Sequence, residues 1–541
     1  MTYANRNRAS SIIRNIPRGV EQEYALVTHP PSSGIILNRM IDKAVMKLKE
    51  KGFISDAEWS LSDEVGNLAY ERGRSTLWTL PGSATEHAYN GMRIYNDAGH
   101  FETSTPLYVN PVDAVVYERV SELFAYLGTS SLKEENIEAY SYKVNTSTRH
   151  DGKNYVSLAW GTHGNATVSR ERCNLNIWNE VERALVPYVV TRLLIIGAGG
   201  VVAGPSDRLY EMPRDGTLTG DALKFVISPR ALFITRTSSF DTSENRGILN
   251  ERDEPHADQA KYWRLHDINL EGIRSDFQIF IRDALQALVL AAFDRGYLVG
   301  APQLKEPLDA LRTLSLDFEQ CNWKLTLGNG TNVSAIEDIL EGFYLAKIED
   351  MLDKEGADSI DAASFSALKW LIQRLKERRL ESLIHGIDWI TKLEIAKEYG
   401  VKDKGTLMAI CNQYTLMDEG TRYYIDGAVN LDEGESLFDP STFSFLKNRV
   451  PLPDFEIEKF RGKVEHALRH GPLDTREYLR ALVMHKIPHD VRMISWSRVY
   501  FDRKRFVDMK EPLMYTADEL KGLEEPLSAD KLLHMTKQQG E

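Results

Sequence analysis

RIYNDAGHFETSTP, residues 93–106, is the stretch on which the fold turns. Read as a strand, RIYND puts Arg93, Tyr95 and Asp97 on one face and Ile94 and Asn96 on the other, because side chains alternate across a pleated strand. A face of arginine, tyrosine and aspartate is not ordinary core. Upstream, RGVEQEY (18–24) alternates in the same way, sending Glu21 and Glu23 to one side and Val20, Gln22 and Tyr24 to the other. Carboxylates about 4 Å apart repel by roughly 4 kcal/mol at an effective dielectric near 20, so a buried pair requires a cation or a shared proton. Magnesium meets that requirement and keeps phosphate oxygens in its shell, so a carboxylate-lined sheet carrying an arginine suggests a nucleotide site. Taken strand by strand, two solvated edge strands with unremarkable charges would read the same.

These stretches belong to a chain of 541 residues, 42% hydrophobic and 27% charged, which is the composition of a soluble globular protein able to bury a sizeable core. A net charge of −13 argues against general nucleic-acid or anionic-membrane binding. Cys173, Cys321 and Cys411 form no metal-type spacing and suit a reducing cytosol. The longest apolar run, ALVPYVVTRLLIIGAGGVVAG (184–204), carries Pro187, Arg192 and several glycines, so it reads as a buried helix-to-strand unit rather than a membrane span. Its GAGGVVAGPS is no Walker loop, and Val202 occupies the last position of GxGxxG. The basic start of the chain lacks an apolar h-region, so no export is expected and the location is read as cytoplasmic.

In chain order, residues 1–18 are expected to form a flexible basic arm, 19–28 the first strand, 38–51 an amphipathic helix, and 53–90 a long insertion. A helix opens at Pro111. IEAYSYKVNTST (137–148) and YVSLAWGTHGN (155–165) each read as one strand, the second placing His163 and Asn165 on one face. RGILNERDEPHADQAKYWRLHDINLEG (246–272) reads as a strand and then a helix with Asp253, Glu254 and Pro255 in its first turn. A sharper alternative has Arg252 and His256 reaching phosphate or metal from a loop. Pro451 and Pro453 read as a linker into a compact tail that holds Trp496.

Taken together, GVEQEY (19–24), NGMRIYNDAGHFETSTP (90–106), the Lys143–Asn145 strand, GTHGN (161–165), RGILNERDEPHADQAKYWRLH (246–266), GIDWITK (386–392) and ISWSRVYFD (494–502) resemble the Pup ligase and Pup deamidase/depupylase family. That family shares the carboxylate-amine ligase fold of glutamine synthetase. The resemblance implies an α+β chain: a glutamine synthetase-like large domain at 19–450, with a curved, mainly antiparallel sheet cradling the active site, and a small C-terminal α/β domain at 451–541. It implies Asp97 as the catalytic carboxylate, a base in the ligase and a base or nucleophile in the hydrolase. Glu21, Tyr95 and Glu102 would hold magnesium, with Glu23, His163 and His256 completing the shell. Arg93, Thr105 and Trp496 would contact ATP, or ADP and phosphate, with Arg252 near the phosphates. The implied partners are a Pup-like modifier and lysine-bearing proteins that carry it, and the implied state is a monomer or small homo-oligomer.

The 53–90 insertion, STP after Glu102 and RGI at 246 resemble the deamidase branch, which hydrolyses the C-terminal glutamine side-chain amide of the modifier or its isopeptide bond to lysine. The alternatives are the ligase, which joins the modifier's terminal glutamate to lysine through a glutamyl phosphate, a non-catalytic modifier-binding homologue, and a small-molecule carboxylate-amine ligase. Three departures stand out. Gly164 replaces a carboxylate in the family's HEN, HPEY becomes His100, Phe101, Glu102 and Thr103, and the aspartate of Tyr-X-Asp becomes Leu416. They point to a divergent lineage whose modifier is Pup-like rather than Pup.

Overall fold

The computed structural model describes residues 11–59, 85–97, 99–206, 213, 216–417, 440–502, 504–523 and 526–539. From β1 (Arg18–His29) the chain passes through α1 (Gly34–Glu50) and a short β2 (Glu58–Trp59) to β3 (Thr85–His87), β4 (Arg93–Asp97) and β5 (His100–Ser104). After α2 (Pro111–Ser130) come β6 (Glu138–Tyr142), β7 (Thr146–His150), β8 (Tyr155–Ala159) and β9 (Thr162–Ser169). Next are β10 (Arg236–Ser239), β11 (Gly247–Asn250) and β12 (Tyr262–Leu270), then the helix α3 (Asp276–Asp294) and a short β13 (Leu416–Met417).

Ten of these strands make the main sheet, in the order β10-β11-β12-β9-β1-β5-β4-β3, with β6 along the far half of β1 and β13 beyond β6. All its pairs are antiparallel except β10 with β11. β1 is long enough to hold β5 and β9 at its first half and β6 at its second. The back of the sheet is covered by α2 and α3. Pro111 sits in the first turn of α2, where its missing N–H costs nothing, and Asn110 caps it by accepting from Val112 N. Residues 276–293 of α3 are all buried, as a helix apolar on every side must be. Its few charges are paired: Arg18, at the start of β1, donates to both carboxylate oxygens of Asp283 at 2.9 and 2.7 Å, and Arg282 meets Glu118 of α2. Breaking one partner of such a buried pair costs about 3–5 kcal/mol, so the entry of β1 is firmly fixed.

A second apolar cluster forms from Leu479, Val483, Ile494, Val499, Val507 and Leu520 around a sheet of β14 (Met493–Ile494), β15 (Arg498–Tyr500) and β16 (Phe506–Asp508). Ala57 and Trp59 join it, because β2 adds to β14 in parallel. Among the described residues no helix is long and apolar enough to cross a membrane.

Several expectations are corrected. Residues 11–17 are packed rather than part of a flexible arm: Ile12, Ile13 and Ile16 are buried, and the N–H groups of Ile12 and Ile13 donate to the Asp361 carboxylate at 2.9 Å each. Pro451 and Pro453 do not divide two cores, since Leu452, Phe455, Phe460 and Val464 all join the main one. YVSLAWGTHGN breaks at Trp160–Gly161, where the backbone turns to exchange hydrogen bonds with Glu23. IEAYSYKVNTST likewise divides, into β6 and β7. No helix starts at Asp253, because Asp253 pairs with Arg170 at 2.7 Å and Glu254 with Arg252 and Arg264 at 2.9 and 2.7 Å, leaving 251–261 a loop. Residues 60–84, the middle of the expected insertion, lie outside the described residues.

Candidate active site

The register of the sheet decides which side chains share a face. Glu23 stands opposite Glu102, and Glu102 in turn opposite Tyr95; Asp97 faces His100 across the β4–β5 hairpin. On the other flank of β1, Glu21 faces His163, and Asn165 faces His266 of β12. Directly opposed residues point to the same side, so Glu21, Glu23, Tyr95, Asp97, Glu102, His163, Asn165, Arg264 and His266 line one surface.

They gather into two groups. Ligand atoms of Glu23, Asp97 and Glu102 all lie within 4.8 Å of one another, and so do those of Glu21, His163 and His266. In the first group the Tyr95 hydroxyl donates to Glu102 Oε1 at 2.5 Å, Gly161 N donates to Glu23 Oε1 at 3.1 Å, and His100 Nδ1 lies 3.2 Å from Glu23 Oε2. In the second, Asn165 Nδ2 donates to Glu21 Oε1 at 3.1 Å, His163 Nδ1 lies 3.3 Å from Glu21 Oε2, and Arg264 holds Asn165 at 3.0 Å.

The electrostatics of the groups differ. Burial, then the charge of Asp97, raises Glu23 to about 7. Burial, then Asp97, Glu23 and Glu21, pushes Glu102 well above the usual carboxylate range. Burial would also raise Glu21, but His163, His266 and Arg264 outweigh it and hold that carboxyl well below its ordinary value. Burial, then Arg264 and His163, depresses His266 well below the usual imidazole value, so it stays neutral and able to act as a ligand.

The donor sets fit divalent cations. Glu102 Oε2, His163 Nε2 and both ring nitrogens of His266 are buried without a hydrogen-bond partner, an arrangement that native interiors avoid unless something else satisfies them. Three carboxylates suit a hard ion such as magnesium; two imidazoles and a carboxylate suit magnesium less well than manganese or zinc.

Beyond Glu21 the surface runs into a cleft, open to solvent, between the main sheet and the C-terminal cluster. Thr105, His256, Arg264, Arg476 and Trp496 line it, and Thr105 Oγ1 accepts from Val20 N at 2.9 Å. The Arg93 guanidinium lies 4.1 Å over the Tyr95 ring, and Arg252 donates to Glu254 at 2.9 Å.

Of the sequence-derived set, Glu21, Glu23, Asp97, Glu102 and His163 fall in the two groups, Tyr95 bonds to Glu102, and Thr105, His256 and Trp496 line the cleft; Arg93 and Arg252 are in neither. His256 is in neither group of mutually close ligand atoms; it lines the cleft together with Glu21, its ring 6.0 Å from that of Trp496, and it is His266 that stands with Glu21 and His163. The missed residues, Arg264 and His266, carry a signal after all, since R-x-H on a strand puts both on one face. Arg230 and Arg246 were also missed. Both are buried, both feel the charge of Glu23, and Arg230 Nη2 and Arg246 Nη1 have no hydrogen-bond partner.

Two of the three departures from the family pattern lie on the back of the sheet. Gly164 alternates to the back, where an added Cβ would lie 2.8 Å from Leu270 Cδ1 and 3.4 Å from Gln286 Nε2. Phe101 and Thr103 also face back, Phe101 edge-on to Tyr24 and Thr103 bonded to Ser121 of α2 at 2.6 Å. Leu416 pairs with Tyr142, which stands opposite Ala25 of β1, so this third departure lies on the carboxylate side of the sheet, two residues beyond Glu23.

Residues 18–428 match the family described as Pup-ligase protein. The Pup deamidase/depupylase of Mycolicibacterium smegmatis is 28% identical over 426 residues, covering 78% of this chain and 76% of its own. The depupylase of Acidothermus cellulolyticus is 28% identical over 503 residues, 90% of each chain. Among solved structures, the complex between the prokaryotic ubiquitin-like protein Pup and its ligase PafA superposes with a TM-score of 0.68 at 19% identity, covering 98% of this chain and 93% of that one. PafA in complex with ADP gives 0.62 at 20% identity over 88% and 94%. At these identities the structural likeness is one of fold.

Proposed function

Because the chain belongs to the Pup-ligase family, we propose that it is an ATP- and magnesium-dependent deamidase and isopeptidase acting on the C-terminal glutamine or glutamate side chain of a Pup-like modifier. The relatives that span similar lengths are named for that direction. The observation that carries the reading is the convergence of Asp97 with Glu23 and Glu102 on the sheet face that also bears Glu21, which lines the cleft.

Glu23, Glu102 and Tyr95 would hold one magnesium ion and Glu21, His163 and His266 a second cation, with Asp97 left for chemistry. Bound there, the ions would polarise the acyl oxygen and neutralise phosphate charge. Arg93, Thr105, His256 and Trp496 would take the nucleotide, with Arg252 toward the phosphates. The unpartnered guanidinium nitrogens of Arg230 and Arg246 are suited to hold a phosphate or the developing acyl oxyanion. Asp97 either takes a proton from water or bonds to the acyl carbon itself. In the first course that water's hydroxyl adds to the acyl carbon, the C–N bond breaks, and Asp97 returns its proton to the leaving ammonia or lysine amine; in the second the C–N bond breaks as Asp97 bonds to the acyl carbon, the amine takes its proton from water, and a water then hydrolyses the acyl anhydride, leaving the modifier's carboxyl and a free Asp97 carboxylate. The small C-terminal cluster, proposed as a separate domain, closes the cleft through Trp496. We place the protein in the cytoplasm, acting on modified lysine-bearing proteins as a monomer or small oligomer.

The test is incubation with Mg-ATP and a Pup-like modifier ending in glutamine, read by intact mass, with Asp97→Asn alongside. The mass change of amide-to-acid conversion, absent from the variant, is the expected result. Conjugation of a glutamate-ended modifier to protein lysines with release of ADP, and no deamidation, would move the assignment to the ligase direction.

A further inference from the structure

β2 leaves the catalytic body and adds to the C-terminal sheet, Glu58 beside Met493 and Trp59 beside Ile494, with Glu58 N donating to Arg492 O at 3.0 Å. The Trp59 side chain nevertheless turns back toward the main sheet. There it covers His87 and Arg93, which face each other across β3 and β4: the Arg93 guanidinium is 4.8 Å from the indole centroid, and the His87 ring lies 5.8 Å away and 20° from parallel. Arg93 is thus held against two rings, Trp59 and Tyr95. The same indole meets Trp496 edge to face at 5.2 Å and 75°.

We propose that Trp59 is a positioning residue of the nucleotide site, fixing Arg93 of the main sheet and Trp496 of the cleft lining in a single aromatic contact. The inference rests on reading the cleft as that site. Arg93 carries a long side chain whose rotamer freedom must be lost for it to bind a ligand, and a cation held over an indole has already lost it. Trp496 stands on a sheet of short strands, and among the described residues Trp59 is the ring that touches both it and Arg93. Asp97 lies at the other end of β4 from Arg93, so losing the indole weakens nucleotide binding and spares the catalytic carboxylate.

The experiment measures Mg-ADP affinity by calorimetry for the full chain, Trp59→Phe and Trp59→Leu, together with kcat at saturating nucleotide. Trp59→Leu is expected to bind about tenfold more weakly, and Trp59→Phe, whose ring is a poorer cation partner, about threefold, with kcat within about twofold of wild type. In an Arg93→Met background, Trp59→Phe should add little further loss, which a merely structural role would not produce. Unchanged affinity in Trp59→Phe and Trp59→Leu, a fall in kcat with affinity intact, or full additivity with Arg93→Met overturns the proposal. Should the wild type itself fail to bind Mg-ADP, the reading of the cleft falls first and takes this inference with it. Should Trp59→Leu not fold, the Trp59→Phe and Arg93→Met cycle decides alone.

Discussion

Replacing Glu102 by glutamine should stabilise the protein when divalent cations are stripped away, and should remove most of the stabilisation that magnesium confers. The ligand oxygens of Glu23, Asp97 and Glu102 lie within 4.8 Å of one another, so each ionised pair costs roughly 3.5 kcal/mol at an effective dielectric near 20. The substitution eliminates two of the three pairs, about 7 kcal/mol if all three groups were charged. Proton uptake caps that figure, because burial and the neighbouring carboxylates raise Glu23 to about 7 and hold Glu102 well above the usual carboxylate range. At pH 8 the relief is about 2–3 kcal/mol. Glutamine keeps an acceptor for the Tyr95 hydroxyl, so little packing is lost. A chain of 541 residues unfolds with an entropy of about 1.1 kcal/mol per degree, so the melting temperature in EDTA should rise by about 2–3 °C. Magnesium should then raise the wild type's melting temperature and leave the variant's nearly unchanged. Differential scanning calorimetry at pH 8, with EDTA and with magnesium, reads both effects. A variant that melts lower than wild type in EDTA, or that gains as much from magnesium, would show that these carboxylates do not form a cation site.

Two further outcomes follow from the same geometry. His266→Ala should weaken manganese binding, followed by electron paramagnetic resonance, by at least about tenfold while sparing ADP affinity, and His256→Ala should do the reverse; equal effects from both would refute the assignment. Burial raises Asp113, in the first turn of α2, to about 7, while the unfolded chain releases that proton near 3.8. The folded protein therefore binds the extra proton between these values, and its stability falls as pH rises from about 4 to 7. Asp113→Asn should flatten that part of the urea midpoint profile and be more stable at pH 8 by about 2 kcal/mol, after discounting for partial exposure.

The carboxylate surface was legible because alternation in β1, β4 and β5 gathers Glu21, Glu23, Tyr95, Asp97 and Glu102 on one face, even though Gln22, Asn96 and Thr103 keep the other face from being wholly apolar. His266 escaped because the charged run ending at His256 drew the ligand assignment, whereas the plainer R-x-H alternation in β12 puts Arg264 and His266 on the carboxylate face. The N-terminal packing was signalled by Ile12, Ile13 and Ile16, but the arginines among them suggested a solvated arm. Trp59 had no local signature. A two-residue strand becomes visible only through its partner, and β14 lies near the other end of the chain. The loop at 251–261 was misread for a related reason: Asp253 and Glu254 suit a helix start, and only the folded sheet supplies Arg170 and Arg264 to claim them instead.

The two faces of the main sheet answer to different masters, and this shapes how such a chain can change over time. Positions facing α2 and α3 are judged chiefly by packing, so Phe101, Thr103 and Gly164 can differ from their counterparts once neighbouring side chains adjust. Their neighbours one residue away are judged by charge and reach. Lineages descended from one ancestor should therefore diverge along β1, β5 and β9 as a comb, every second letter drifting while the teeth between them stay fixed.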